Sequence, residues 1–131
     1  MYSILLVEDH TTFANVLIRF LGLTDNLHVA AVAKRAEAAL RELQTQNFDL
    51  VLVDVALPEM NGISLVGLIH AQYPELPCLM LSGHTLVHYV NRALAAGARG
   101  YILKDDTYAI VEGIQQVLRG EIYVSKQLRR S

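Results

Sequence analysis

Ser3-Ile4-Leu5-Leu6-Val7-Glu8-Asp9 and Asp49-Leu50-Val51-Leu52-Val53-Asp54 decide how this chain folds. Each contains a short apolar run that stops on a carboxylate. Such runs, β-branched and leucine-rich with no polar alternation, read as strands covered on both faces. A buried strand that ends on an acid aims that acid at the edge of the sheet. Two of them side by side bring Glu8, Asp9 and Asp54 together. Unit charges about 4–5 Å apart repel by roughly 3–4 kcal/mol at an effective dielectric of about 20. The set must therefore hold a proton or bind a cation. Only oxygen ligands are on offer, so the cation is a hard one. Magnesium needs just one or two carboxylates, with waters and phosphate oxygens completing its shell. The plainer reading of Glu8-Asp9 is favourable charge at the start of the following helix.

Working outward, short apolar runs alternate with amphipathic stretches along the whole chain. Strands are expected at Ser3–Val7, His28–Ala33, Leu50–Val53, Cys78–Leu81 and Tyr101–Leu103, with His28–Ala33, the least purely apolar, nearer an edge. Phe13, Val16, Leu17, Phe20 and Leu21 predict a first helical face, capped by Thr11 or Thr12 and ended by Gly22. Ala36, Ala39, Leu40 and Leu43 mark a second helix that stops at Asn47. After the turn Pro58-Glu59-Met60-Asn61-Gly62, Leu65, Leu68, Ile69 and Tyr73 stripe a third, closed by Pro74. Val87, Val90 and Leu94 give a weaker fourth, stopped at Gly97. Ile110, Ile114, Val117 and Leu118 give a fifth, closed by Gly120, after which Glu121–Ser131 reads as a short tail. This alternation predicts an α/β fold, a parallel sheet with helices on both faces and right-handed crossovers. The ligand site of such a sheet lies beyond the C-terminal ends of its strands. Those ends are Glu8-Asp9, Ala33-Lys34, Asp54, Ser82-Gly83 and Lys104-Asp105.

Composition narrows the class. The chain has 131 residues, 53% hydrophobic and 18% charged, which suits one domain with a substantial core and strands buried on both faces. The net charge of −2 and the brief basic pair Arg129-Arg130 do not make a nucleic-acid surface. No apolar run approaches the roughly 18 residues of a membrane span, and the N-terminus lacks the pattern of a signal peptide. Cys78 is the only cysteine. It excludes an intrachain disulfide and reads as a buried thiol, which favours the cytoplasm.

Lys104 leaves the fifth strand at the same rim as the acids. It can serve as a point charge for an anionic group or pair with Asp105 or Asp106. Ser82 ends the fourth strand, where its hydroxyl can donate to a phosphoryl oxygen or cap a helix. Together the strand ends offer a cation site, a carboxylate able to attack phosphorus and form an acyl phosphate, and two groups to hold a phosphoryl. Positioning and charge neutralisation supply most of the catalysis in such transfers. Asp54 is followed by Val55 and Ala56, with no second aspartate two positions on to act as acid and base, which argues against a phosphohydrolase. Glu8-Asp9-His10-Thr11 stands where a nucleotide-binding domain needs a glycine-rich phosphate loop. His10 could tune the acid pair or merely begin the helix. His84 and His88 could share a helical face as a metal pair or as ordinary surface residues.

Over Tyr2–Arg119 the chain resembles the receiver domain of two-component response regulators. The matching stretches are Ile4-Leu5-Leu6-Val7-Glu8-Asp9-His10, Val53-Asp54 with Pro58-Glu59-Met60-Asn61-Gly62, Leu81-Ser82-Gly83, and Gly100-Tyr101-Ile102-Leu103-Lys104-Asp105. Glu8-Asp9-His10, the lysine stretch and Val117-Leu118-Arg119-Gly120-Glu121-Ile122-Tyr123 look most like the NarL/FixJ (LuxR-type) subfamily. The resemblance implies a flavodoxin-like (βα)5 three-layer sandwich with a five-stranded parallel sheet in the order 2-1-3-4-5. It implies a receiver domain over 1–120, with 121–131 a C-terminal tail or the start of a linker to an output domain.

The same resemblance implies residue roles. Asp54 is the phosphoacceptor, supplied by a sensor histidine kinase or phosphotransfer protein. Asp9, Asp54 and the backbone carbonyl of Ala56 hold Mg2+, with Glu8 acting directly or through water. Ser82 and Lys104 grip the phosphoryl oxygens. Tyr101 turns inward when Ser82 shifts, and the surface of helix four, strand five and helix five changes with it. The expected protein is a signalling receiver rather than an enzyme, a possible homodimer on phosphorylation, with no membrane partner. It reaches DNA only through a helix-turn-helix output domain, and Ser131 comes too early to include one. A stand-alone receiver that docks on another protein is the alternative. A degenerate receiver fits poorly with a complete set of acids, hydroxyl and lysine. Two positions depart from the family. Asp105 stands where many receivers have proline, and a cis bond there would cost about 3–4 kcal/mol. Ala56 is small, which leaves an acyl phosphate open to water or to a phosphatase residue.

Overall fold

The structure, a computed structural model, describes residues 1–83 and 87–129, without the side chains of Val87 and His88. The elements alternate: β1 Tyr2–Val7, α1 Thr11–Gly22, β2 Leu27–Ala33, α2 Ala36–Thr45, β3 Leu50–Asp54, α3 Gly62–Gln72, β4 Cys78–Ser82, α4 Val87–Ala96, β5 Gly100–Leu103, α5 Thr107–Leu118 and β6 Tyr123–Val124. The sheet has the order β2-β1-β3-β4-β5-β6, and every pairing in it is parallel. Successive strand residues point to opposite faces, and here each face meets its own apolar layer. Leu5, Val7, Val51, Val53, Met80 and Tyr101 face the layer that includes α2, α3 and α4. Ile4, Leu6, Leu50, Leu52, Leu79 and Ile102 face the layer that includes α1 and α5. That is why the central strands show no polar alternation. β2 lies at the edge as expected, and its register slips between the partners of Ile4 and Leu5, leaving Ala30 as an extra residue.

Among the described residues the sheet has six strands where five are expected. Residues 121–129 are no loose tail. The Tyr123 and Ser125 N–H groups donate to the Arg99 and Tyr101 carbonyls, both at 3.0 Å, which adds β6 to the open edge of β5. A short 3-10 turn, Lys126–Leu128, follows, and Leu128 is buried in the core with Tyr101 and Leu103. Gly120 makes the reversal possible with φ of +90°.

Other local expectations shift as well. α1 starts at Thr11 with His10 in the cap position and no side-chain cap bond, so neither threonine caps it. α2 ends at Thr45, short of Asn47. Val16 is 52% exposed and Leu68 39% exposed. Their helices bury Leu17, Leu21, Leu65 and Ile69 as expected, and Ala14 and Val66 in place of the two exposed residues. α3 is apolar nearly all round, so periodicity alone cannot select its inner face. Asn61 and Asp106 do cap, accepting from the Ser64 and Ala109 N–H groups at 2.9 and 3.0 Å. Among the described residues no peptide bond is cis, so Lys104–Asp105 is trans, and no helix is long and apolar enough to cross a membrane. Cys78 is buried, and burial pushes its thiol up to about 12.

Candidate functional site

Register sets the rim. Val7 lies beside Val53, Asp54 beside Leu81, and Ser82 beside Leu103. The ladder continues one step past the strands: the Glu8 N–H donates to the Ala33 carbonyl at 2.9 Å, Val55 to Leu81 at 3.0 Å, and Lys104 to Ser82 at 2.9 Å. Glu8, Asp54 and Lys104 are therefore held by the sheet itself rather than by loops, which fixes a site more tightly. Gly62 is needed beneath them. Its N–H donates to the Val55 carbonyl at 2.7 Å, and a Cβ there would collide with the Asp54 carbonyl.

The structure brings the predicted acids together. Glu8, Asp9, His10 and Asp54 each offer a ligand atom, all within 4.8 Å of one another. Glu8 is only 1% exposed and Asp54 2%. Lys104 answers them rather than its neighbours Asp105 and Asp106: its Nζ lies 2.8 Å from Glu8 Oε1 and 3.2 Å from Asp54 Oδ2. Burial holds the Glu8 carboxyl above its ordinary range. Lys104 and the His10 N–H oppose that rise, and the Asp54 charge reinforces it. The His10 N–H donates to Glu8 Oε2 at 3.1 Å, while its exposed ring stands 3.6 Å from the same oxygen. The Ala56 N–H donates to Asp54 Oδ1 at 3.1 Å.

One ammonium does not satisfy three carboxylates. Among the described residues, the buried oxygens Glu8 Oε1 and Asp54 Oδ2 share the single Lys104 ammonium, and buried Asp9 Oδ1 has no partner. Buried polar atoms are normally paired, and a compact set of carboxylate oxygens short of positive charge is the donor set a hard divalent cation takes. The residues present fit magnesium.

Beside the acids opens a cleft of about 320 Å³, lined by His10, Phe13, Asp54, Ala56, Ser82, Gly83 and Lys104. Ser82 is fully buried, and so is Tyr101 on the neighbouring strand. The Tyr101 hydroxyl lacks a well-aligned bond. It lies close enough to Ser82 for that residue to offset part of the rise in pKa that burial imposes. Two contributors carry little sequence signal of their role at the site. The sequence offers Gly62 as a turn breaker within a family-matching stretch, with no sign of its contact with Asp54, and Phe13 as part of a helical stripe. The ring of Phe13 lies 4.8 Å from Lys104 Nζ. Its one sequence signal is its place a single helical turn beyond Asp9. His84 and the side chain of His88 lie outside the described residues.

Residues 4–115 match the family model of the response regulator receiver domain. The transcriptional regulatory protein DegU of Brevibacillus brevis is 31% identical over 123 residues, covering 93% of this chain and 52% of the relative. The transcriptional activator protein ExaE of Pseudomonas putida is 35% identical over 127 residues, covering 96% and 59%. The chain thus spans between half and three-fifths of the length of these curated relatives. A crystal structure of a LuxR-family two-component response regulator from Aurantimonas sp. SI85-9A1 superposes with a TM-score of 0.94 at 27% identity, covering 98% of this chain and 92% of the other. The chain belongs to the response regulator receiver domain family, among regulators of the LuxR/NarL type.

Proposed function

We propose that this domain is switched by phosphorylation of Asp54. The observation that carries the reading is the buried Glu8–Asp54–Lys104 cluster, open to a cleft on the Ala56 side. A phosphohistidine of a sensor kinase or phosphotransfer protein is the donor. A carboxylate oxygen of Asp54 attacks phosphorus, the P–N bond breaks, and the departing imidazole nitrogen regains its lone pair and then a proton. The product is an acyl phosphate. Asp9, Asp54 and the Ala56 carbonyl would hold magnesium, with Glu8 beside them, and the bound ion would supply charge neutralisation among the carboxylates and incoming phosphoryl oxygens. Lys104 moves from Asp54 toward a phosphoryl oxygen, and the Ser82 hydroxyl donates to another. Ala56, small and exposed, leaves the product reachable by water. Val55-Ala56 supplies no acid–base partner, so the chain is read as a receiver rather than a phosphohydrolase.

Drawing Ser82 toward the phosphoryl group changes the packing around Tyr101, and through it the α4–β5–α5 surface. The relatives named above are transcriptional regulators longer than this chain, which supports an output through a helix-turn-helix domain; cytoplasmic location and dimerisation on phosphorylation complete the reading. Incubation with acetyl phosphate and magnesium, followed by intact-mass analysis, should add one phosphoryl group to the wild type and none to Asp54→Asn. Phosphate persisting on the variant would identify a different acceptor.

A further inference from the structure

We propose that Phe13 is a positioning residue for Lys104: its ring face confines the ammonium to the carboxylate side of the cleft. The contact stands on geometry. Only its effect on rate rests on the reading of Asp54 as phosphoryl acceptor. Lys104 Nζ has Glu8 Oε1 at 2.8 Å and Asp54 Oδ2 at 3.2 Å. On another side is the Phe13 ring, with its centroid at 4.8 Å, inside the roughly 6 Å over which a ring face attracts a cation. Lysine is a compact charge on a flexible stem with three rotatable donors. Two carboxylates alone let such a stem swing out to water. The ring replaces that water, and the Lys104 side chain is left only 18% exposed.

Sequence explains why this residue can do so. Phe13 sits in the first turn of α1, directly after the segment that carries Glu8 and Asp9, so one stretch of backbone sets both the acids and the wall opposite them. Phe13 is half-buried and lines the cleft. A phosphoryl group on Asp54 would bring its oxygens into that cleft, and Lys104 would reach them by a short shift along the same ring. A saturated side chain would fill the space without attracting the ammonium, so the aromatic face and simple bulk are separable.

The full chain is compared as wild type, Phe13→Leu and Phe13→Tyr, with Phe13→Met replacing the leucine variant should that one fail to fold. In carbon–proton NMR the Lys104 ε-methylene signal of the wild type lies upfield, shifted by the ring. Phe13→Tyr keeps that shift, and Phe13→Leu moves the signal back toward free lysine. With acetyl phosphate and magnesium, the initial rate of Asp54 modification falls about fivefold in Phe13→Leu, equivalent to about 1 kcal/mol, and Phe13→Tyr recovers most of it. An unshifted wild-type signal, a leucine variant as fast as wild type, or a tyrosine variant as slow as the leucine one overturns the proposal. If no protein gains mass while the Lys104 signal still follows the ring, the positioning contact stands and the acceptor reading is what fails.

Discussion

Glu8 bears the electrostatic cost of the rim, and that cost is measurable without any ligand. Its carboxyl titrates above the unfolded value of 4.5, first because it is buried and then because Asp54 is near. Between the unfolded and folded pKa values the folded chain holds more protons than the unfolded chain. Stability from this group is therefore greatest at low pH and falls as pH rises through that interval. Glu8→Gln removes the titration. In chelator-containing buffer it should be more stable than wild type at pH 7, and the advantage should shrink as pH falls toward 4.5. Urea melts at several pH values measure it, and a pH-independent difference would contradict the argument. Glu8, Asp9, Asp54, Ser82 and Lys104 were legible in the sequence because each follows or ends an apolar run, and a parallel sheet collects such ends at one rim. Phe13 was not, because a helical stripe does not say which of its members meets a strand end.

At the scale of elements, the last strand lies in a stretch whose sequence looks like tail. β6 is two residues long, too short for periodicity to reveal, yet Tyr123, Ser125 and Leu128 are all buried. The Ser125 hydroxyl accepts the Leu103 N–H at 3.0 Å in a buried bond, and its own N–H donates to Tyr101. The segment thus grips β5 on both sides of Tyr101. Ser125→Ala leaves the Leu103 N–H buried without that acceptor, which costs about 1–3 kcal/mol. Ile122→Ser, at a position 60% exposed, should change stability by no more than about 0.5 kcal/mol. Equal effects of the two substitutions in urea denaturation would mean that β6 contributes little. The long strands were legible for the opposite reason. Leu50–Val53 and Cys78–Leu81 are buried on both faces, and their continuous apolar runs between turn signals mark central strands, whereas the choice of Ala14 over Val16 and of Val66 over Leu68 depends on packing that an apolar-rich helix does not encode.

Across the whole molecule, two apolar layers close over one sheet and leave its unbalanced charge at a single rim. Glu8, Asp9 and Asp54 face one ammonium there, which Glu8 and Asp54 share, while among the described residues the buried Asp9 Oδ1 has no partner. The fold pre-positions these oxygens, while the unfolded chain scatters them, so a cation that binds them stabilises the folded state by mass action. At about ten times its dissociation constant a single-site ligand contributes about 1.4 kcal/mol. For a chain of 131 residues that corresponds to a rise of roughly 5 °C in Tm. Magnesium should produce a saturable rise of this order in the wild type. Asp9→Asn, which removes a ligand without touching the Lys104 contacts, should reduce or abolish it. Chelation should reverse it, since nothing covalent forms without a phosphodonor. A rise of the same size in wild type and Asp9→Asn would place the ion elsewhere on the surface, whereas a rise lost with this one carboxylate ties the stability of the whole fold to the rim where its strands end.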